Sequence, residues 1–194
     1  MGVRVGVFCG SNVGSQPAFA EQAAQLGRAL AERDLGLVYG GGHVGLMGVV
    51  ADSALAGGGE VIGVLTDALV RSEIAHPGLT SLEVVGSMHE RKARMADLAS
   101  GFITLPGGYG TFDETIELLT WNQLGLITKP VVFLDVDAFF APLFAFFDAA
   151  VAAAFVRPSH RALAQRAGTV EEAVTMAIAQ APETPHKWID RDDP

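Results

Sequence analysis

The sequence predicts an α/β protein with a Rossmann-like, doubly wound parallel sheet of about six or seven strands and helices on both faces. Short aliphatic runs alternate along the chain with longer helical segments, and this alternation is typical of parallel strands joined by crossover helices. Glycine or small polar residues follow four of the runs, at residues 9–15, 40–45, 86–92 and 106–111. Because ligands of such sheets bind at the carboxyl ends of the strands, we expect these four segments to meet at one site.

The predicted strands are short apolar runs, and the first of them, residues 3–8, shows no clear alternation, as expected for a strand buried on both faces. They cover residues 3–8, 35–39, 60–65, 81–85, 102–105 and 130–134, and residues 161–166 form either a seventh short strand or a helix. The predicted helices cover residues 18–33, a segment ending at 56, 88–99, 115–124, 138–155 and 169–180. Residues 66–79 are predicted to be a loop with one helical turn, and residues 157–160 a connector.

Individual residues set several of these helix boundaries. Pro17 opens the first helix, because proline suits the first turn. Ser87 and Thr169 are predicted N-caps, and Glu172 completes a capping box with Thr169. Pro142 is expected to break or delay the apolar helix in which it lies.

Length and composition limit what the chain can bind. The 194 residues, 49% of them hydrophobic, predict one domain over residues 1–181 with a polar tail at 182–194. A net charge of −9, with no basic run longer than residues 90–94, argues against binding nucleic acid. The single cysteine, Cys9, excludes an internal disulfide framework and a zinc cluster. Neither a membrane span nor a signal peptide is recognisable, so we expect a cytoplasmic protein that does not bind membranes. We also expect it to bind neither a metal nor a cofactor.

The segment Leu105–Glu114 is the strongest local signal. The buried strand before it runs into three closely spaced glycines, and the helical run 115–124 follows. Glycine lets the backbone approach a bound group and present its N–H donors, and the positive end of a helix dipole points at the same place. We expect this turn to bind an anion, most simply a phosphate. Glu114 either helps to cap the helix or does chemistry beside the phosphate.

Three segments resemble those of one family. Pro106–Thr111 with Glu114 resembles its PGGxGTxxE signature, and Met88–Lys92 resembles its MHxRK segment. Gly40–Gly48 is similar to its GGGxxGLMG loop. Together with the Phe8–Ser11 opening, these segments resemble the Lonely Guy (LOG) family, the cytokinin riboside 5′-monophosphate phosphoribohydrolases.

The resemblance covers residues 3 to about 135. It implies a homodimer that hydrolyses the N-glycosidic bond of an N6-modified AMP to a free cytokinin base and ribose 5-phosphate, with Arg91 and Glu114 as the catalytic pair. It also implies substrate-binding roles for Ser11, Gly42, Glu73, Met88, Lys92, Gly107, Gly108, Tyr109, Gly110, Thr111 and Thr120. Glu73 resembles the acidic residue near the base, and His43 stands where many members carry a smaller residue.

The chemistry expected of this pair follows from the bond that is broken. Cleavage of a C1′–N9 bond builds positive charge on the ribose, as in glycoside hydrolysis, and a carboxylate such as Glu114 can stabilise it and orient water. Arg91 either orients Glu114 or contacts the sugar. A general AMP nucleosidase and a non-catalytic nucleotide or phospho-cofactor carrier are the alternatives. A dehydrogenase is a weaker one, because the first loop lacks a full GxGxxG.

Other residues have simpler interpretations. Cys9 is expected to be a small buried residue, and Arg94 to lie on a solvated charged face. The phenylalanine-rich run 139–147 is most simply core, although such apolar faces also build dimer contacts.

Overall fold

A computed structural model describes residues 2–72 and 75–182, and within them seven strands form one parallel sheet. The strands are β1 (Arg4–Phe8), β2 (Gly36–Tyr39), β3 (Val61–Thr66), β4 (Ser81–Val85), β5 (Gly101–Thr104), β6 (Val131–Leu134) and β7 (Ala164–Ala167). Their order across the sheet is β4-β3-β2-β1-β5-β6-β7. The predicted fold class is confirmed. Residues 161–166 were predicted as either a strand or a helix, and residues 164–166 belong to the edge strand β7.

Helices cover both faces of the sheet. They are α1 (Pro17–Glu32), α2 (Gly45–Ala56), α3 (Asp67–Arg71), α4 (Met88–Leu98), α5 (Tyr109–Gln123), α6 (Ala141–Ala152), α7 (Pro158–Arg161) and α8 (Val170–Ala177). One buried apolar cluster lies between the sheet and α1, α2 and α8, and a second lies between the sheet and α4, α5 and α6. No helix among the described residues is both long enough and apolar enough to cross a bilayer.

The position of the ligand site follows from the strand order. The chain builds outward from β1 through β2 and β3 to β4, and then returns to place β5 on the other side of β1. Residues after neighbouring strands therefore leave in opposite directions at the carboxyl ends of β1 and β5. This topological switch point is where open α/β sheets leave a crevice for a ligand.

The start of α5 corrects the sequence prediction. The helix begins at Tyr109, six residues before the predicted Thr115, with Gly108 as an extended N-cap at φ −107° and ψ −153°. The low helix propensity of glycine argued against this start, and tertiary packing overrides that preference. Gly110 and Thr111 therefore lie in the first turn of α5, and Glu114 lies in the second.

Several smaller boundaries also differ. α6 begins only at Ala141, so Pro142 delays it, and a 3₁₀ turn at Val136–Ala138 precedes it. α6 and α8 end three residues before the predicted ends, and a single-turn helix, α7, lies in the predicted connector. The predicted loop 66–79 contains the single helical turn α3.

Both predicted N-caps are confirmed. The N–H of Glu90 donates to Ser87 Oγ at 3.1 Å, and that of Glu172 donates to Thr169 Oγ1 at 3.2 Å. The Glu172 carboxylate accepts from Gly168 N–H at 2.8 Å, one residue before the expected donor of a capping box.

Candidate active site

The loops at the carboxyl edge of the sheet are joined by backbone hydrogen bonds. The N–H of Gly10, after β1, donates to the carbonyl of Pro106, after β5, at 3.0 Å. The N–H of Leu46 donates to the carbonyl of Gly10 at the same distance. Gly45, at φ +61°, allows this approach, because a Cβ there would lie 2.2 Å from the carbonyl carbon of Ser11. The loops after β1, β2 and β5 therefore form one continuous surface.

A crevice of about 200 Å³ opens between the β1–α1 and β5–α5 loops, at the switch point. It is lined by Gly10, Ser11, Asn12, Val13, Gly14, Phe19, Leu46, Pro106, Gly107, Gly108 and Phe139. The crevice thus brings together three of the predicted substrate-binding residues, Ser11, Gly107 and Gly108. Phe19 and Phe139 were not predicted here, and their ring centroids lie 5.7 Å apart at its wall.

The first turn of α5 faces open space. The first N–H groups of a helix have no acceptor within it, and they carry its positive dipole end. A Cβ built on Gly108 or Gly110 would meet no protein atom within 4 Å. Packing inside the chain therefore does not require glycine at either position, whereas a ligand that approaches these N–H groups would benefit from the room.

Gly107 has a different reason to be glycine. A Cβ there would lie 2.1 Å from Thr111 Oγ1 and 2.9 Å from the backbone nitrogen of Gly10. Thr111 itself is buried, and its Oγ1 lies against Gly107. Gly107 and Thr111 thus close the β5–α5 loop onto the β1–α1 loop.

Arg91 and Glu114 form a buried ion pair beside these loops. Arg91 Nη1 donates to Glu114 Oε1 at 2.7 Å, and the two side chains are only 8% and 12% exposed. The guanidinium also donates through Nε to the carbonyl of Val64 at 2.8 Å and through Nη2 to that of Gly40 at 3.3 Å. Arg91 therefore joins α4 and α5 to the carboxyl ends of β3 and β2.

Burial dominates the electrostatics of Glu114. Removal from water raises the pKa of its carboxyl above the ordinary value, while the adjacent Arg91 guanidinium opposes this rise. Burial, followed by the negative charge of Glu114, raises the pKa of the Cys9 thiol at the end of β1. Cys9 is a small buried residue, as predicted.

The glycine loop after β2 is shaped around Arg91. A Cβ on Gly40 would lie 2.3 Å from Arg91 Nη2, so only glycine leaves room for the guanidinium. Gly42, a predicted substrate-binding residue, is buried, and its carbonyl accepts from the Tyr39 hydroxyl at 3.1 Å. His43 lies on the exposed part of the same loop.

Lys92 contacts two carboxylates that sequence reasoning missed. Its Nζ lies 3.0 Å from Asp113 Oδ2 and 2.9 Å from Glu117 Oε2. Burial lowers the pKa of Lys92, but the two carboxylates outweigh this effect and raise it overall. Asp113 and Glu117 are four residues apart on α5, a spacing that puts them on one face. A predicted helix that began at Tyr109 would have placed both carboxylates on one helical face and so would have revealed this cluster.

The remaining predicted residues lie elsewhere. Met88 and Tyr109 are exposed, at the first residues of α4 and α5. Thr120 is exposed, donates to the carbonyl of Ile116 at 2.9 Å, and lines a separate cavity of about 140 Å³. Six residues of helix separate it from Glu114, a rise of about 9 Å. Glu73 lies outside the described residues.

These features define a Rossmann-like protein with a glycine-lined ligand crevice at the switch point and a buried arginine–carboxylate pair next to it. Within residues 2–72 and 75–182, no group of three or more His, Cys, Asp or Glu side chains could hold a metal ion.

Comparison with known sequences identifies the family. Residues 47–177 match the family model described as "Possible lysine decarboxylase". The chain is 47% identical over 169 residues to the rice (Oryza sativa subsp. japonica) probable cytokinin riboside 5′-monophosphate phosphoribohydrolase LOGL1, covering 87% of this chain and 76% of that protein. It is 44% identical over 180 residues to Arabidopsis thaliana cytokinin riboside 5′-monophosphate phosphoribohydrolase LOG7, covering 93% and 83%. The chain therefore belongs to the family of these two relatives, the LOG family.

Solved structures support the fold. The molybdenum cofactor binding protein from Rippkaea orientalis superposes with a TM-score of 0.69 at 23% identity, over 90% of this chain and 94% of that one. The Chlamydomonas reinhardtii Moco carrier protein gives 0.67 at 22% identity, over 90% and 94%. At these identities the likeness concerns the fold alone.

Proposed function

We propose that this protein hydrolyses the N-glycosidic bond of cytokinin riboside 5′-monophosphates, releasing the free base and ribose 5-phosphate. The observation that carries the proposal is the buried Arg91–Glu114 pair beside a glycine-lined crevice. The family supports the substrate class, because relatives at 44% and 47% identity carry this activity in their names.

The 5′-phosphate is the handle by which the substrate is held. The free N–H groups in the first turn of α5, with open space over Gly108 and Gly110, suit a phosphate. Binding there fixes the ribose relative to the second turn of the same helix, which carries Glu114. A fixed ribose turns the attack on C1′ into an effectively intramolecular step.

Glu114 acts on the bond itself. As the C1′–N9 bond breaks, its electron pair leaves with the base, and the ribose becomes oxocarbenium-like. The Glu114 carboxylate stabilises this positive charge and orients a water molecule, whose oxygen forms the new bond to C1′. The base gains one proton and C1′ gains a hydroxyl, so one water is consumed.

Arg91 positions Glu114 and does not hold the sugar. Its guanidinium is buried, and each of its three nitrogens donates to an acceptor in the protein, on Val64, Glu114 or Gly40. This geometry supports the first of the two roles considered for Arg91. The positive charge also helps to keep a buried carboxyl ionised.

Lys92 contributes to nucleotide binding from α4. Its ion pairs with Asp113 and Glu117 hold the ammonium against the second and third turns of α5. Lys92 also lies close enough to Glu114 for its charge to lower the pKa of that carboxyl.

A carrier of the same fold is the competing function, because the fold that this chain shares with a Moco carrier protein can serve that role. A carrier needs the crevice but gains nothing from a buried Arg91–Glu114 pair, which is expensive to desolvate.

The experiment that tests the proposed hydrolase is incubation with isopentenyl-AMP, AMP and isopentenyladenosine, followed by chromatography of the free base. We expect release from isopentenyl-AMP. If none of the three compounds released free base, the proposed hydrolase activity would be overturned. Equal release from the riboside would overturn the role of the 5′-phosphate in binding. Faster release from AMP than from isopentenyl-AMP would favour a general AMP nucleosidase.

We also propose a cytoplasmic homodimer whose subunit is one domain, residues 1–181, with a tail at 182–194. Apolar side chains support the dimer: Ile116, Leu119, Phe147 and Val156 line the cavity beside Thr120, and Leu126 and Phe155 are largely exposed. A second copy on this face would cover them. Light scattering should give twice the mass of the chain, and Ile116→Asp should reduce it. The proposed cytoplasmic location is supported by the single cysteine, because a chain with no internal disulfide suits a reducing compartment.

A further inference from the structure

A second polar cluster lies at the end of β2, and it is centred on His76. The imidazole is buried, with Nε2 3.0 Å from Asp52 Oδ1 on α2. Its Nδ1 accepts a hydrogen bond from the N–H of Gly78 at 3.1 Å. Because a ring nitrogen that accepts from an amide carries no proton, the proton of the neutral ring is on Nε2 and is donated to Asp52.

The backbone of the same segment is fastened to the glycine loop. The N–H of His76 donates to the carbonyl of Gly41 at 2.9 Å, and Ala75 forms an antiparallel bridge with Gly42. Residues 75–78 are thus held twice, by the backbone to the end of β2 and by the imidazole to α2.

Three successive carbonyls of the glycine loop accept hydrogen bonds from three different parts of the chain. That of Gly40 accepts from Arg91, that of Gly41 from the His76 N–H, and that of Gly42 from the Tyr39 hydroxyl. A shift of residues 75–78 therefore pulls on the peptide next to the one that receives Arg91.

We propose that His76 and Asp52 are positioning residues of the site: their hydrogen bond fastens residues 75–78 to α2, which fixes the Gly40–Gly42 backbone and, through it, the Arg91–Glu114 pair. The effect on catalysis rests on the proposed function, whereas the fastening itself does not. Neither residue reaches the crevice, so neither is assigned a contact with substrate.

Two substitutions of His76 separate its two hydrogen bonds. His76→Gln places an amide N–H near the position of Nε2 and retains the donor to Asp52, whereas His76→Asn places an amide oxygen near Nδ1 and retains only the acceptor for Gly78. With isopentenyl-AMP we expect His76→Asn and Asp52→Ala each to lower kcat about tenfold with little change in KM, since misplacement of reacting groups acts on the chemical step. His76→Gln should retain most of the activity, and the double variant His76→Asn/Asp52→Ala should be no worse than either single one. Glu60→Ala is the matched control, because it also removes an exposed carboxylate, 41% against 72% exposed for Asp52, from an ion pair, here with Arg4 near the opposite end of the strands.

Amide hydrogen exchange gives a readout that does not depend on activity. We expect faster exchange over residues 75–78 in His76→Asn and Asp52→Ala, and wild-type exchange in Glu60→Ala. Unchanged kcat in both variants of an active enzyme would overturn the positioning role, as would additive losses in the double variant. A wild-type protein without hydrolase activity would refute the proposed function and leave the exchange result to decide whether the fastening exists.

Discussion

Two arginines one turn apart on α4 show how burial changes the meaning of an ion pair. Arg91 pairs with Glu114, and the side chains are 8% and 12% exposed. Arg94 pairs with Glu83, with Nη2 2.9 Å from Oε1, but these side chains are 42% and 31% exposed. Arg94 lowers the pKa of Glu83, whereas burial raises the pKa of Glu114 despite Arg91. The same chemical partners therefore produce opposite shifts.

The difference separates a structural pair from a candidate functional one. An exposed pair is screened by solvent and contributes little to stability. A buried pair carries a desolvation cost that its mutual attraction barely offsets, so its presence needs another explanation. A catalytic role for Glu114 is such an explanation, because carboxylates with perturbed pKa values cluster at functional sites.

The largest effect should come from neutralising the buried carboxylate. Glu114→Gln keeps the size of the side chain and removes the charge, so kcat for isopentenyl-AMP should fall at least about 100-fold. Glu83→Gln makes the same change in the exposed pair and should leave kcat within about twofold. Steady-state kinetics on both variants, with circular dichroism as a check of folding, makes this test. Equal losses in the two would erase the distinction between the pairs.

The next effect concerns pH. Glu114 must be ionised to act, so activity falls as the pH drops through its raised pKa. Arg91→Gln removes the charge that opposes this rise, so the pKa goes higher and the acid limb of kcat/KM moves to higher pH. Arg94→Gln should leave the limb unchanged. An acid limb in the same place for Arg91→Gln would show that Glu114 is not the titrating group.

The two kinds of glycine in the turn should separate binding from stability. Gly107→Ala forces a Cβ against Thr111 and Gly10 and should destabilise the fold by about 1–3 kcal/mol. Gly110→Ala enters open space in the first turn of α5 and should keep or raise stability by up to about 1 kcal/mol. It should nevertheless raise KM, because the methyl group occupies the approach to the helix N-terminus. Thermal unfolding and KM measurements check both, and an unchanged KM in Gly110→Ala would argue against a phosphate at that turn.

The smallest effect is on the exposed pair itself. Arg94→Ala should lower the free energy of unfolding by less than about 1 kcal/mol, and added salt should shrink the difference. Urea unfolding at low and high ionic strength measures it. A loss of several kcal/mol that persists in salt would mean that exposure is a poor guide to the worth of an ion pair here.

The sequence was sufficient for the strands and for the segments that form the site. Runs such as Val131–Leu134 are buried on both faces and are therefore continuously apolar, a pattern that needs no tertiary information. Glycines at strand ends predicted where the loops would meet, and hydrogen bonds between Gly10, Pro106 and Leu46 now join those loops.

What the sequence could not predict depends on contacts between distant elements. Arg91 and Glu114 were selected from a family motif, but their ion pair spans 23 residues and exists because α4 and α5 lie side by side. The same packing gives Lys92 its two carboxylates and lets α5 begin among glycines. His76 showed no usable pattern, because its partners Asp52 and Gly41 come from other segments.

Single-turnover hydrolysis tests the central claim, that Glu114 breaks the bond and the α5 turn holds the nucleotide. Wild-type protein and Glu114→Gln would each be mixed with isopentenyl-AMP at several protein concentrations, always in excess, with the concentration dependence of release giving the wild-type Kd and calorimetry giving that of the variant. We predict that both bind the nucleotide with similar Kd and that only the wild type releases free base rapidly. Base released by Glu114→Gln at the wild-type rate would contradict the account.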